Sequence, residues 1–590
     1  MSTPVIFSFS GAGAETAARI AAIVGGEVVG CGPGGEDARM LLPETFGTGR
    51  TIIGVCAAGI LIRLLAPHLT DKHGEPPVIA VSADGRSVVP LLGGHHGANR
   101  LSREIAEALG GHAAVTTASD GRFARGLDEP SDGWVLENPE AAKAAMAAVL
   151  RGASLRLEGA APWLLEAGYP IAADGTVSVA VSERMGVVAD LVYRPKTLLA
   201  GVGCERGTPA GDIVALVERV LAEAGLSPLS LAALGTVEIK ADEAGLLAAA
   251  AHFAVPLRLW SAEELGRERH RLLNPSAVVE VEIGIPGVAE AVALKAGALV
   301  VPKQKGARAT CAIGQATAPL DVDALGLPPG QLHIVGIGPG ERESRTASAT
   351  AALRETTDWV GYDLYLDLVS DLRTEQAEHR FPLGGEEDRV RHALELAGTG
   401  KQVALVCSGD GQIYAMAALV YELLEAEGAR APSAAARRVA VQSHPGISAF
   451  QAASARLGAL IGHDFCAISL SDLLTPRDDI IKRLHGAAQA DFVTAFYNPR
   501  SRRRTDLLDE AKAIFLRHRP ADTPVIVASN VGRPEERLEV TTLEDFAPER
   551  VDMLTIVLFG SSASRAFRRG DGRTVAYTPR GYERKGEPKQ

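Results

Sequence analysis

Short apolar runs that break into polar or glycine-rich turns recur along the chain, separated by stretches whose apolar positions repeat every three to four residues. This alternation predicts strands followed by helices, the rhythm of α/β folds. In residues 1–125 the strand-like runs are Pro4 to Ser10, Thr51 to Ala57 and Pro77 to Ser82, and the helix-like pieces are Ala14 to Val24, Gly59 to His68 and Ala98 to Leu109. Residues 126–196 loosen into Pro-, Gly- and Trp-bearing segments with one Ala-rich helix, Pro139 to Leu150, and are read as a small intervening domain. The α/β rhythm returns over 197–318, from Thr197–Cys204 through a helical Ala210 to Ala224 to a hairpin-like Ala298 to Ile313. Gln315 to Gly330, rich in Pro, Ala, Leu and Gly, reads as a linker. Over 331–570 strands are predicted at Gln331 to Val335, Val403 to Cys407, Arg438 to Ser443, Asp491 to Tyr497, Pro524 to Ser529 and Met553 to Phe559. The polar, basic residues 571–590 predict a flexible tail. The chain is therefore expected to be a multidomain α/β protein, with two α/β domains and a small intervening domain ahead of a further α/β unit.

Composition narrows the function classes. The 590 residues leave room for about three to five domains. Sixty Lys and Arg against 72 Asp and Glu give a net charge of −12, which argues against a general nucleic-acid or acidic-membrane binder. Six cysteines, Cys31, Cys56, Cys204, Cys311, Cys407 and Cys466, are scattered without a C-x-x-C pair, so no metal site is predicted and free thiols in a reducing compartment are expected. The longest apolar stretch, Thr51 to Ala66, is interrupted by Arg63 and ended by Pro67, and Met1 to Phe7 lacks the basic start of a signal peptide. A soluble cytoplasmic protein without a membrane partner is expected.

Candidate chemistry concentrates in turns that follow apolar strands. His333-Ile-Val-Gly-Ile-Gly-Pro-Gly340 ends in a loop whose glycines let the main chain approach a ligand. It is not the dinucleotide fingerprint, because Glu341 occupies the place of the third glycine, and no G-x-x-x-x-G-K-[ST] loop occurs. A second such turn closes Val403 to Tyr414, where Asp410 is either a ligand acceptor or a helix N-cap. His444-Pro-Gly-Ile-Ser-Ala449 and Phe496-Tyr-Asn-Pro-Arg500 repeat the pattern. In parallel α/β sheets ligands collect at the carboxyl ends of strands, so such turns are expected to line one crevice.

This ordered set, with the run Gly462-His-Asp-Phe-Cys-Ala-Ile-Ser-Leu-Ser-Asp-Leu-Leu-Thr-Pro476, resembles the tetrapyrrole methyltransferases and most specifically the precorrin-3B C-17-methyltransferase family. The resemblance covers about Gln331 to Ser562. It implies a two-lobed methylase fold, S-adenosylmethionine as cofactor and a precorrin-type tetrapyrrole as substrate, methylated at C-17 with contraction of the macrocycle in cobalamin synthesis. Carried over residue by residue, it places Gly338, Pro339, Gly340, Ser408, Gly409, Asp410, Ile413, Ser448, Ala449 and Asn498 around the cofactor. Asp472, His463 and Asp464 are the candidates for proton transfer, with a helix cap and a surface turn as the structural alternatives for Asp472 and His463. Ser469, Ser471 and Arg500 are the candidates for substrate contact, the cluster Arg500 to Arg504 suiting the carboxylates of a precorrin. A homodimer through this half is implied by the same resemblance. Two departures stand out, Glu341-Arg-Glu-Ser-Arg-Thr346 after the first loop and Tyr414-Ala415 in place of Tyr-Gly.

The N-terminal half holds weaker signals. Gly93-Gly-His-His-Gly-Ala-Asn99 enters an amphipathic helix, and Gly201 to Thr208 is another glycine-rich turn, with Thr208 read as an N-cap and Cys204 as either a buried thiol or a nucleophile. Neither G-x-S-x-G nor H-E-x-x-H occurs. Together with Gly59 to Pro67, Asp71-Lys72, Thr116-Thr117, Ile239 to Glu243, Ser261 to Glu264, Asn274-Pro-Ser276, Pro286 to Ala291 and Val301 to Gly306, these segments resemble the cobalt-precorrin-5A hydrolase family. That resemblance implies opening of a lactone on the macrocycle with release of acetaldehyde. The rival reading is a non-catalytic corrinoid-binding module.

Overall fold

A computed structural model describes residues 4–32, 35–70, 74–116, 122–501 and 505–582. Asp71, Lys72, Thr117, Arg502 to Arg504 and 583–590 of the expected tail lie outside the described residues, as does the side chain of His95. The chain forms two compact units, Met1–Gly326 and Leu327–Gln590. No described helix is long and apolar enough to cross a membrane.

The first unit holds three sheets. β1 (Val5–Ser8), β2 (Glu27–Gly30), β3 (Ile52–Val55), β4 (Val78–Val81), β5 (Ser87–Leu92) and β6 (His112–Ala113) are arranged 2-1-3-4-5-6. The four residues of β1, of β3 and of β4 are all buried, as expected of parallel strands covered by helices on both faces. A second sheet, β7 (Trp134–Leu136), β8 (Leu155–Glu158), β9 (Val177–Val181) and β10 (Leu191–Pro195), in the order 7-10-9-8, fills the segment in which the sequence predicts only a helix. Its strands are short, three to five residues, and two of them carry charges, as in Leu-Arg-Leu-Glu158, which breaks the apolar pattern that would announce them. The third sheet contains β11 (Leu198–Cys204), β12 (Leu231–Val237), β13 (Leu257–Trp260), β14 (Ala298–Lys305) and β15 (Ala309–Gln315), the last two forming the antiparallel hairpin. The expected linker is partly structured: Leu320, Val322 and Leu325 pack near Trp260, and Arg258 donates to Leu325 O at 2.6 Å.

The second unit has two lobes. Its first sheet is wholly parallel: β16 (Gln331–Gly336), β17 (Asp358–Tyr362), β18 (Ala377–Phe381), β19 (Gln402–Cys407) and β20 (Ala440–His444) run in the order 18-17-19-16-20. A small sheet follows from β21 (Gly458–Ala459), completed later by two C-terminal strands. The second lobe is built on β22 (Phe465–Ser469), β23 (Val493–Tyr497), β24 (Pro524–Ser529), β25 (Arg537–Thr542) and β26 (Thr555–Phe559), ordered 22-23-26-24-25 and antiparallel except for the first pair. Phe496, Phe515, Phe546 and Phe559 form an edge-to-face cluster in its core.

The expected frayed tail is corrected. β27 (Arg565–Arg568) and β28 (Thr574–Tyr577) pair antiparallel, and β28 also pairs with β21. Ala576 is fully buried, and Thr578 donates its hydroxyl to Leu460 O at 2.6 Å. The polar surroundings hide one apolar alternation, Thr-Val-Ala-Tyr577, that zips against an earlier edge. Truncation after Gly570 is therefore expected to lower the thermal unfolding midpoint of the chain by more than about 5 °C, read by calorimetry, because it strips one strand and leaves Ser564 without its Thr578 partner.

Candidate active site

β16 lies between β19 and β20, so the turns after these three strands are neighbours at one edge of the sheet. They meet main chain to main chain. Gly338 N–H donates to Gly409 O at 3.1 Å and Gly409 N–H to Gly338 O at 2.7 Å. A Cβ on Gly446 would lie 2.1 Å from Gly409 O and 2.6 Å from Gly336 O, and one on Gly336 would lie 2.7 Å from both Gly409 O and Gly446 N. These separations are far inside van der Waals contact, so only glycine allows the three loops to converge. Asp410 straps them together: its carboxylate accepts from Gln412 N–H at 2.8 Å and from Gly446 N–H at 3.2 Å. It is not a helix N-cap, since the next helix, Ala417–Glu425, starts after Met416. Buried Ser448 closes the third loop and shares a capping box with Gln451, opening the helix Ala449–Leu457 onto the same edge.

The second lobe supplies the facing wall. Ile413 packs into that lobe's core beside Phe450, and the Tyr414 hydroxyl donates to Ala467 O at 2.8 Å. At the carboxyl ends of β22 and β23, Asn498 Nδ2 donates to Ser469 Oγ at 3.1 Å, and Ser471 N–H donates to the same oxygen at 3.3 Å. Tyr414, Asn498 and Asn530 have positive φ of 50°, 48° and 50°, so three of the five non-glycine residues with this backbone among the described residues border the crevice. Such strain clusters at ligand sites. Sequence reasoning missed the turn Asn530 to Arg533 after β24. Arg533 Nε donates to Pro339 O at 3.3 Å and Nη2 to Ser408 Oγ at 3.4 Å, so the turn fits against the first glycine loop. The signal was present, because Asn-Val-Gly-Arg533 follows an apolar strand as the other four turns do.

Three expectations change. His463 and Asp464 are mutually paired at 3.3 Å and exposed, and they precede β22, whereas Ser469 ends it. Five residues of strand put them about 15 Å from Ser469 and Asn498, so the structure does not bring them into the crevice. Asp472 stays at the crevice end, exposed in the turn after Ser471, and it does not cap the next helix, whose N-cap is Pro476. Arg500 is held by Asp509 at 3.2 Å.

In the first unit the matching segments mainly hold loops. A Cβ on Gly201 would lie 2.0 Å from Ala289 O, so this glycine serves helix packing rather than a ligand. Thr208 is not an N-cap; its hydroxyl donates to Glu205 O at 2.8 Å, and the helix begins after Pro209. Buried Glu243 accepts from Gly207 N–H at 2.8 Å and from Lys240 at 3.4 Å. Buried Glu290 accepts from Leu273 N–H, Asn274 N–H and Lys303 N–H, each at 2.9 Å, and from Asn274 Nδ2 at 2.8 Å. Burial pushes its carboxyl up, but these donors outweigh burial and hold it below the usual range. Burial raises the Cys204 thiol. Gly93 and Gly97, at φ 68° and 97°, flank the short turn Gly94–His96, and buried Asn99 lies beside Gly94. Cavities of about 550 and 480 Å³ lie in this unit, the larger at the carboxyl ends of β1, β3 and β4 beside Ser10, Cys56 and Ser82. Burial pushes the Cys56 thiol up to about 11, so it is no nucleophile near neutral pH.

Comparison with known proteins places these sites. Residues 331–547 match the family of tetrapyrrole (corrin/porphyrin) methylases, while 40–120 and 198–314 match the N-terminal and C-terminal families of cobalamin synthesis protein G. A precorrin-3B C(17)-methyltransferase of Sinorhizobium sp is 40% identical over 253 residues, which is 43% of this chain and 97% of that one. The chain belongs to the precorrin-3B C(17)-methyltransferase family, behind a cobalt-precorrin-5A hydrolase-like region. For that region one relative is a cobalt-precorrin-5A hydrolase of Priestia megaterium, 32% identical over 304 residues, 47% of this chain and 81% of that one. A cobalt-factor III methyltransferase of Priestia megaterium is 41% identical over 256 residues, 43% of this chain, and the match spans only 46% of that relative's own length.

Beneath the methylase crevice lies a buried histidine pair. His333 Nδ1 and His444 Nε2 are 3.0 Å apart, and His444 Nδ1 is 2.8 Å from Ser348 Oγ. Burial lowers both imidazoles; the neighbouring His333 lowers His444 further against the pull of Glu355, and for His333 burial outweighs the hydrogen bond to Gln402 and the charge of Glu355. The folded chain therefore holds them neutral, while the unfolded chain binds protons below about pH 6.5. The stability held by this pair is present above that pH and falls as pH drops through the window below it. The unfolding midpoint is expected to decline between about pH 6.5 and 5, and less steeply in His333→Gln. Independently, Gly446→Ala is expected to cost about 1–3 kcal/mol, seen as a shifted denaturant midpoint, because the new methyl meets two main-chain carbonyls.

Proposed function

We propose that the second unit methylates a precorrin-3-level macrocycle at C-17, with ring contraction, using S-adenosylmethionine, and that the first unit opens the lactone of a later intermediate in cobalamin synthesis. The observation that carries the first part is the convergence of the three glycine turns on Asp410 at one sheet edge. The domains are taken as 1–125, 126–196, 197–318 and a methyltransferase from 331 that includes β28.

The residues present fit the cofactor. Gly338, Gly409 and Gly340 offer bare main chain beside Pro339, and Asp410, with two of its roughly four acceptor positions used, has lone pairs left for ligand hydroxyls. Ser408, Ile413, Ser448, Ala449 and Asn498 complete the proposed cofactor wall. When bound, S-adenosylmethionine supplies an already activated methyl group. The chain's own task is alignment and exclusion of water, and a crevice closed by loops from both lobes suits it. Ser469, which accepts from both Asn498 Nδ2 and Ser471 N–H, and Ser471 are the proposed substrate contacts, with Arg500 at the rim. Asp472, in the turn after Ser471, is the proposed carboxylate for proton transfer in the contraction. Burial pushes the Cys407 thiol up to about 12 and raises that of Cys466, so neither competes as a methyl acceptor. Six free cysteines suit the proposed cytoplasmic setting. A homodimer through the methyltransferase unit is proposed from the resemblance.

The test uses the full chain with a corrinoid precursor, with and without S-adenosylmethionine, followed by product mass. Gain of one methyl only with the cofactor is expected, and Asp410→Ala is expected to slow it by about 10- to 100-fold as the three turns lose their strap. Wild-type rates in Asp410→Ala, or no methylated product from wild type, contradict the reading. Acetaldehyde release from a lactone-bearing precursor separates a hydrolase from the binding-module alternative.

A further inference from the structure

Arg533 is a charged group without a countercharge among the described residues. It sits in the turn between β24 and β25, partly buried, where a Cβ on Gly340 would lie 2.9 Å from its Cγ. Its hydrogen bonds are to neutral oxygens and long, 3.3 Å to Pro339 O and 3.4 Å to Ser408 Oγ. No carboxylate among the described residues pairs with it; burial lowers its affinity for a proton, opposed only by the phenols of Tyr365 and Tyr362. The neighbouring carboxylates are already engaged elsewhere. Glu536 accepts from Gly532 N–H at 2.7 Å and faces Arg456 at 3.6 Å, and Glu341 pairs with Arg456 and Ser344.

Desolvating a guanidinium is costly unless an anion meets it. Its planar fork suits a carboxylate in particular. The turn that carries it is fixed, with Arg533 N–H donating to Asn530 O at 3.0 Å and Gly532 fitted against Pro339, so the cation is held at the mouth of the glycine crevice rather than free to swing into solvent. We propose that Arg533 is a specificity-determining residue that takes a carboxylate of a ligand in this crevice. Two sources share that chemistry, the amino-acid end of the cofactor and the acidic side chains around the macrocycle. The assignment rests on the methyltransferase reading above.

The test measures S-adenosylhomocysteine affinity by calorimetry and the KM for the macrocycle on the full chain, each at two ionic strengths, for wild type, Arg533→Met and Arg533→Lys. Losing a charge-assisted contact is expected to weaken one of the two by about 10- to 100-fold in Arg533→Met, with flattened salt dependence and partial recovery in Arg533→Lys. Weaker S-adenosylhomocysteine binding at unchanged KM assigns the cofactor carboxylate; a raised KM at unchanged affinity assigns the substrate's. Wild-type values in Arg533→Met, or losses that keep the wild-type salt dependence, overturn the assignment alone. A wild-type chain that binds neither ligand overturns the methyltransferase reading and this assignment with it.

Discussion

Contact between three main chains, at Gly336, Gly409 and Gly446, is the constraint on which the rest of the methyltransferase unit depends. It requires β16, β19 and β20 to end at one height, and the register provides this by pairing Gly336 with Cys407 and Val335 with His444. Once the turns touch, Asp410 can reach Gly446 across the edge, and Ser448 can open its helix onto the same space. The second lobe is then shaped to the result. Gly532 meets Pro339, Tyr414 crosses to Ala467, and Arg533 lies over the first loop. A side chain at Gly336 or Gly446 would separate loops whose value is their closeness, and one at Gly409 would strain a backbone at φ 66°.

The three strands whose turns line the crevice were legible, since Val403 to Cys407 is expected and Gln402–Cys407 is found, but β17 and β18 were not, the latter because Ala-Glu-His-Arg-Phe381 is no apolar run. The roles of those turn residues were less legible. Asp410, Thr208 and Asp472 look alike as helix caps in sequence, and none is one, because capping depends on where the helix starts. Arg533 was invisible for another reason: its importance lies in the absence of a carboxylate partner among the described residues, which only three dimensions disclose. His463 and Asp464 drew notice through their chemistry, but the length of β22 separates them from the serines that follow it.

In the hydrolase-like unit, buried Glu243 and Glu290 are consumed by backbone and lysine donors, and Gly201 by helix packing. Segments that match the family there secure loops, and at the cavity at the ends of β1, β3 and β4 Ser10 caps a helix through Gly13 N–H while Ser82 is engaged by Asp84 and Ser87 N–H. The contrast with the methyltransferase unit is physical. One crevice is made of main chain and needs few side chains, whereas lactone opening needs a positioned water and donors for an oxyanion.

The most direct measurement of the central claim is diffraction from crystals of the full chain grown with S-adenosylhomocysteine. The account predicts nucleoside density between the turns at Gly338, Gly409 and Ser448, with its hydroxyls on the Asp410 carboxylate. Density elsewhere, with these three turns in contact only with each other, would contradict it.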